Sequence, residues 1–319
     1  MTTQPAIITT GLTKHYPGVQ ALTDLTLEVP RGSIYGFLGP NGAGKTTALK
    51  LLAGLIRPTS GSASVTGIGL DAGPAYRQRV GYLAQEPRYY GWMTGRETIQ
   101  YVGSLYPRGS RPDGSRVQEV IDLVGIAHAA DRPSKTYSGG MRQRLGIAQA
   151  LVARPAVLLL DEPVSALDPI GRKEVLELMR GIKGEVTVFY STHILDDVQR
   201  VSDHVAILDH GRLVRAQPTA ELLSSFTGDR MRVVLGYATD DTGPALAAIP
   251  GVLSVDSAAR EADARSYLLQ IDPADSGTVQ RAVTRFAADN DLSVIHNSPV
   301  HEGLEDVFMR LVDTKEHAA

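Results

Sequence analysis

Gly39-Pro40-Asn41-Gly42-Ala43-Gly44-Lys45-Thr46 fits the spacing G-x-x-x-x-G-K-[ST], and it stands between two segments of different periodicity. Ser33–Leu38 is an apolar run of strand length, whereas Thr46–Gly54 has the spacing of a helix. A strand that turns into a helix within a few residues needs glycine, because the backbone angles of so tight a turn are ones a Cβ resists. The N–H groups of the turn point inward and the helix adds its positive dipole end, so the turn forms a cradle for phosphate oxygens. Gly39, Pro40, Asn41, Gly42, Ala43, Gly44, Lys45, Thr46 and Thr47 are therefore the candidate nucleotide-binding segment. Lys45 is expected to reach the β- and γ-phosphates, and Thr46 to offer its hydroxyl to Mg²⁺.

A second apolar run, Ala156–Leu160, ends in Asp161-Glu162-Pro163. Two adjacent carboxylates at the end of a buried strand are costly unless something cationic meets them. Asp161 is expected to meet Mg²⁺ through water, and Glu162 to accept a proton from an attacking water. Between and after these runs, Arg172–Lys183 has helical spacing, and Val186–Tyr190 and Val205–Leu208 are further β-rich runs. The alternation predicts an α/β fold on a mainly parallel sheet. Residues 87–135 carry helical periodicity at Glu97–Leu105 and Arg116–Val124, joined by a loop rich in Gly, Pro and Ser, and read as a helical insert.

The charge is divided unevenly. The chain of 319 residues has a net charge of −3, but residues 1–228 are net positive and residues 229–319 net negative. The shift near Thr227-Gly228-Asp229 marks the expected domain boundary. The tail reads strand, helix, strand, strand, helix, strand (231–237, 243–249, 252–256, 266–271, 275–288, 292–297), with a last helix from Leu304. That order is a small α+β, ferredoxin-like unit. No overall basic field is present to recruit nucleic acid. Cysteine is absent, which excludes disulfides and thiolate metal sites and suits a reducing compartment. No apolar run approaches the roughly 18 to 20 residues that span a bilayer, and the N-terminus has no signal-peptide pattern. A role at a membrane would need another chain to hold this one there.

Tyr137-Ser138-Gly139-Gly140-Met141-Arg142-Gln143-Arg144 resembles the signature motif of ATP-binding-cassette (ABC) ATPases, departing from it at Tyr137, where Leu is commonest. Around it the other elements of that family occur in order. Tyr16 resembles the aromatic that stacks on adenine, and Gln85 the Q-loop glutamine that meets Mg²⁺ and senses the membrane partner. Asp168, in Ser165-Ala166-Leu167-Asp168, resembles the D-loop that crosses to the other subunit. His193 resembles the switch histidine that contacts the γ-phosphate. The resemblance covers about residues 5–225 and implies a P-loop NTPase ABC cassette over 1–228, with a helical insert at about 87–145. It further implies ATP and Mg²⁺ as ligands, and Ser138, Gly139, Gly140 and Gln143 acting in trans on the nucleotide of a second ATPase subunit, in a homodimer. Gly303-Leu304-Glu305-Asp306-Val307-Phe308 is similar to the ending of ATPase subunits from drug-, lipid- and polysaccharide-type exporters, with Glu302-Gly303 in place of the usual Pro-Ser.

The expected function is thus the ATP-hydrolysing subunit of a membrane exporter, held at the cytoplasmic face of the membrane by an integral-membrane permease. The alternatives are a soluble ABC ATPase of translation or DNA repair, and a P-loop kinase or GTPase. The first commonly has two cassettes or a long coiled coil, and this chain has one phosphate loop and no sustained heptads. The second lacks the signature, the Q-loop and the switch histidine. Arg88-Tyr89-Tyr90-Gly91-Trp92-Met93, beside Gln85, has the composition of a protein interface, and is expected to form a groove for a permease helix. A local core of the insert is the other reading of those residues.

Overall fold

The computed structural model describes residues 4–224, 230–261 and 264–300. The chain opens with β1 (Ile7–Tyr16) and β2 (Val19–Val29), then β3 (Ile34–Leu38) and α1 (Lys45–Leu52). There follow β4 (Ser60–Val65), β5 (Ile68–Gly69), α2 (Pro74–Arg77) and β6 (Val80–Leu83). Helices α3 (Gly95–Ser104), α4 (Gly114–Leu123) and α5 (Gly139–Leu151) come next. The sheet then resumes with β7 (Val157–Asp161), α6 (Pro169–Gly181), β8 (Thr187–Thr192), α7 (Leu195–Val201), β9 (His204–Asp209) and β10 (Arg212–Pro218).

The main sheet has six strands in the order β10-β9-β3-β8-β7-β6, and all its pairings are parallel except β10 with β9. Every residue of β3, β7 and β8 is buried, as a strand covered on both faces requires. Register fixes where these strands end. Leu38 lies opposite Thr192, and Asp161 opposite Ser191. The residues that follow β3, β7 and β8 therefore emerge side by side at one edge of the sheet.

A second, antiparallel sheet, β2-β1-β4-β5, lies outside what the sequence pattern revealed. Its pairings are long-range, such as Ile7 with Val29 and with Val65, and register shifts interrupt the alternation along β1. Bulges of this kind break the period-2 signal on which strand recognition rests. The insert is held by local chemistry. Thr94 and Glu97 form a capping box on α3, and Asp113 caps α4 through the Arg116 N–H. The Tyr137 hydroxyl donates to the Ala129 carbonyl at 2.6 Å. A Cβ on Gly95 would lie 2.3 Å from that hydroxyl, so Gly95 leaves the room that a Leu-to-Tyr departure needs.

The chain divides into two compact units, Met1–Thr219 and Ala220–Ala319. In the second, after α8 (Thr219–Ser224), come β11 (Arg230–Gly236), α9 (Thr242–Ala247), β12 (Val252–Glu261), β13 (Ala264–Ile271), α10 (Ser276–Asp289) and β14 (Ser293–Pro299). The sheet order β12-β13-β11-β14, antiparallel throughout, is the ferredoxin-like arrangement. Alternate residues Met231, Val233 and Leu235 of β11, with Tyr267, Leu269 and Ile271 of β13, pack against Val279 and Val283 of α10. The expected helix from Leu304, and the Leu-Glu-Asp-Val-Phe stretch with it, lie outside the described residues.

The first unit has its own core on α1 and the two sheets, including Leu12, Leu25, Phe37, Leu49 and Phe189. We expect a chain cut after Gly228 to keep a cooperative thermal transition and native far-UV circular dichroism. Loss of cooperative melting on truncation would show that the tail completes the core of the first unit.

Candidate active site

Two glycines make the loop after β3 possible. Gly44 has φ 101°, and a Cβ there would lie 2.3 Å from the Ala21 carbonyl. Gly39 has a Leu208 carbonyl at the same separation from its absent Cβ. Only glycine fits either place. Asn41 to Thr47 of the loop line an open cleft of about 470 Å³ with Pro40, Gln85, Glu162 and residues 19–21 of β2. Tyr16, at the end of β1, pairs with Val19 and so stands at the rim of that cleft. Lys14 Nζ lies 5.0 Å from the centroid of the Tyr16 ring.

Lys45 is almost fully buried, and its ammonium donates to the carbonyls of Gly39 at 2.7 Å and Pro40 at 3.1 Å. It also stands 3.3 Å from Glu162 Oε1. The other oxygen of Glu162 meets His193 Nδ1 at 2.8 Å. Glu162, 5% exposed, is thus gripped from two sides, and its own backbone sits at φ 49°. That left-handed conformation is unfavourable for a side chain of this length and is held by its surroundings. One hold is the hydroxyl of Ser191, which accepts from the Glu162 N–H at 2.9 Å and donates to Asp161 Oδ1 at 2.7 Å. The Thr46 hydroxyl donates to the same Asp161 oxygen at 3.0 Å. Ser191 has no motif of its own in the sequence, being one of three Ser or Thr residues, with Thr187 and Thr192, in the strand before His193.

The structure therefore brings Lys45, Thr46, Asp161, Glu162 and His193 together, and Gln85 lines the cleft that holds Lys45, Thr46 and Glu162. It places the signature elsewhere. Ser138 is the N-cap of α5, accepting from the Met141 N–H at 3.2 Å, and Ser138 and Gly139 are exposed. None of Ser138, Gly139, Gly140 and Gln143 lines the cleft, and Gln143 is buried. Asp168 is also outside it, capping α6 through the Gly171 N–H at 2.8 Å.

A mostly parallel sheet that delivers a glycine loop, its lysine and two successive carboxylates to one edge is the architecture of a P-loop nucleotide hydrolase. Comparison with known proteins narrows the class. The ABC transporter family profile matches residues 22–165. The daunorubicin/doxorubicin resistance ATP-binding protein DrrA of Streptomyces peucetius is 36% identical over 98% of this chain and 94% of its own length. The bacitracin transport ATP-binding protein BcrA of Bacillus licheniformis is 32% identical, covering 96% of this chain and 97% of its own. The dimeric structure of MJ0796, a bacterial ABC transporter cassette, superposes with a TM-score of 0.61 at 25% identity, over 67% of this chain and 98% of that one.

The chain belongs to the ATP-binding proteins of ABC transporters. It is an ATPase subunit of the exporter type.

Proposed function

We propose that this chain binds MgATP in the Gly39–Thr47 loop, with Tyr16 stacking on the base, and hydrolyses it with Glu162 as general base. The observation that carries the reading is the double grip on Glu162 by Lys45 and His193. A buried carboxylate beside another buried carboxylate needs cationic or hydrogen-bonding partners, and in this structure Lys45 supplies part of that need. Arriving phosphates compete for the same ammonium. Lys45 then turns to them, and Glu162 is released to accept a proton from water while His193 keeps its carboxylate in place. The donors at the Asp161 edge suit a hard cation. Thr46 and Asp161 share a hydrogen bond that a cation would replace, and Gln85 adds an amide oxygen. Among the described residues no three His, Cys, Asp or Glu gather into a cage. Mg²⁺ is commonly bound in this way, by one or two carboxylates together with substrate phosphates. When bound it neutralises phosphate charge as the bond to the leaving group breaks.

The transport partner is read from the surface of the insert. Trp92 is 73% exposed and Tyr90 58%, with ring centroids 6.0 Å apart, and Tyr101 meets Tyr90 edge-on at 6.1 Å. Rings so exposed are not a core of the insert, which instead buries Met93, Ile99, Val120 and Ile121. They suit a groove for a cytoplasmic helix of an integral-membrane permease, which would hold the chain at the cytoplasmic face. Among the described residues no helix is long and apolar enough to cross a membrane. The names of the relatives make an antibiotic-type cargo the first to try.

Trp92→Ala tests this reading. A central aromatic anchor contributes about 2 kcal/mol or more, so recovery of the matching permease in a pull-down should weaken roughly 30-fold. Binding of ATP to the isolated chain should not change. Full recovery of the permease would remove Trp92 from the interface.

A further inference from the structure

Several tyrosine hydroxyls of the first unit have partners: Tyr76 donates to the Leu52 carbonyl, Tyr137 to Ala129, and Tyr190 pairs with Ser202. Tyr82 differs from these. Its hydroxyl is shielded from solvent and has no hydrogen-bond partner among the described residues. A buried hydroxyl left unpaired is destabilising, and phenylalanine would fill the same space without it. That oxygen is left to a group outside the described residues.

Its position says which. Tyr82 lies on β6, opposite Leu159 of β7, two residues before Asp161, and it packs against the core cluster that includes Ala48 and Leu49 of α1. It precedes Gln85 by three residues. Alternate residues of a strand share a face, so Asp161 stands on the same face of the sheet as Leu159 and Tyr82, two residues further along β7. Asp161 Oδ1 is already occupied by Thr46 and Ser191. A neutral hydroxyl that can donate to a carboxylate and also accept from a water is what a hydrated cation requires next to its ligand.

We infer that Tyr82 is a positioning residue of the cation site, its hydroxyl held for the coordinated water that enters with Mg²⁺ and the nucleotide. The hydroxyl accepts a hydrogen bond from that water and donates to Asp161, fixing the carboxylate's orientation. The inference rests on the proposal that Thr46 and Asp161 hold Mg²⁺.

The test uses the full chain on a Glu162→Gln background, with binding of a fluorescent ATP analogue followed as MgCl₂ is titrated from an EDTA-treated start. Tyr82→Phe should raise the Mg²⁺ concentration needed for half-maximal enhancement by about fivefold or more, and leave binding in EDTA unchanged. The same variant should melt at a higher temperature than its parent without nucleotide, since it removes an unpaired polar atom, and should gain less from MgATP. A packing role alone predicts a lower melting temperature and an unmoved Mg²⁺ dependence, and either result overturns the inference. Asp161→Asn is the control. If it also leaves the Mg²⁺ dependence unmoved, the cation site itself is misplaced; if it shifts the dependence and Tyr82→Phe does not, only the role of Tyr82 fails.

Discussion

Glu162→Gln should lower the steady-state rate of phosphate release by about 10²- to 10⁴-fold, the span typical of losing a general base. Nucleotide binding should survive. Glutamine keeps the shape and can still meet His193, but it cannot take a proton from water. It also leaves Lys45 with the Gly39 and Pro40 carbonyls as its remaining partners, with no carboxylate competing against the incoming phosphates. The affinity for ATP should therefore equal or exceed that of the parent. Lys45→Ala should do the opposite, weakening binding first, because it removes the phosphate's cation and strands Glu162 beside Asp161. Phosphate release and binding of a fluorescent ATP analogue, measured on the same preparations, separate the two. A glutamine variant that turns over at the parental rate would falsify the assignment of the base.

The second large effect is expected at Ser138. The P-loop cleft contains no residue of the signature, and Ser138 and Gly139 face solvent at the start of α5. A helix N-terminus with exposed N–H groups favours an anion. One chain does not place this helix start over its own phosphate loop; we propose that a second copy supplies it, two one-loop chains related by a two-fold axis making two equal sites. On a Glu162→Gln background, MgATP should double the mass of the chain in solution at high concentration. Adding Ser138→Arg should leave it monomeric, with bulk where a phosphate must sit, and in the otherwise native chain should reduce hydrolysis to background. Binding to the P-loop should persist. Losing the Ser138 cap costs about 1 kcal/mol, so a thermal melt must accompany the measurement. A monomer whose specific rate is independent of concentration would end the composite-site argument.

Much of the active site could be read from contiguous residues, and the limits of that reading follow from distance along the chain. The Gly39–Thr46 loop is set by steric demands that act within a few residues, as the close approaches at Gly39 and Gly44 show. The six tail elements, marked by alternation such as that of Met231, Val233 and Leu235, were equally local. The antiparallel sheet was not, because Ile7 finds Val29 and Val65 across long intervals and bulges blur its period.

The sequence by itself determined that a glycine loop with its lysine, a strand-end pair of carboxylates, a Ser-Gly-Gly helix start and a histidine after a strand exist, and roughly which elements bear them. Only the tertiary structure decided what they do to one another. Thr46 and Asp161 are 115 residues apart and share a hydrogen bond; Glu162 and His193 are 31 apart and do the same. These contacts depend on the register of β3, β7 and β8, which no local pattern specifies, because it is set by how whole strands pack against α1 and each other. The bridging role of Ser191, the exposure of Trp92, the separation of Ser138 from the cleft and the orphaned hydroxyl of Tyr82 share that origin. Each is a relation between segments, and the free energy that selects it is the burial of the assembled core rather than the preference of any one residue.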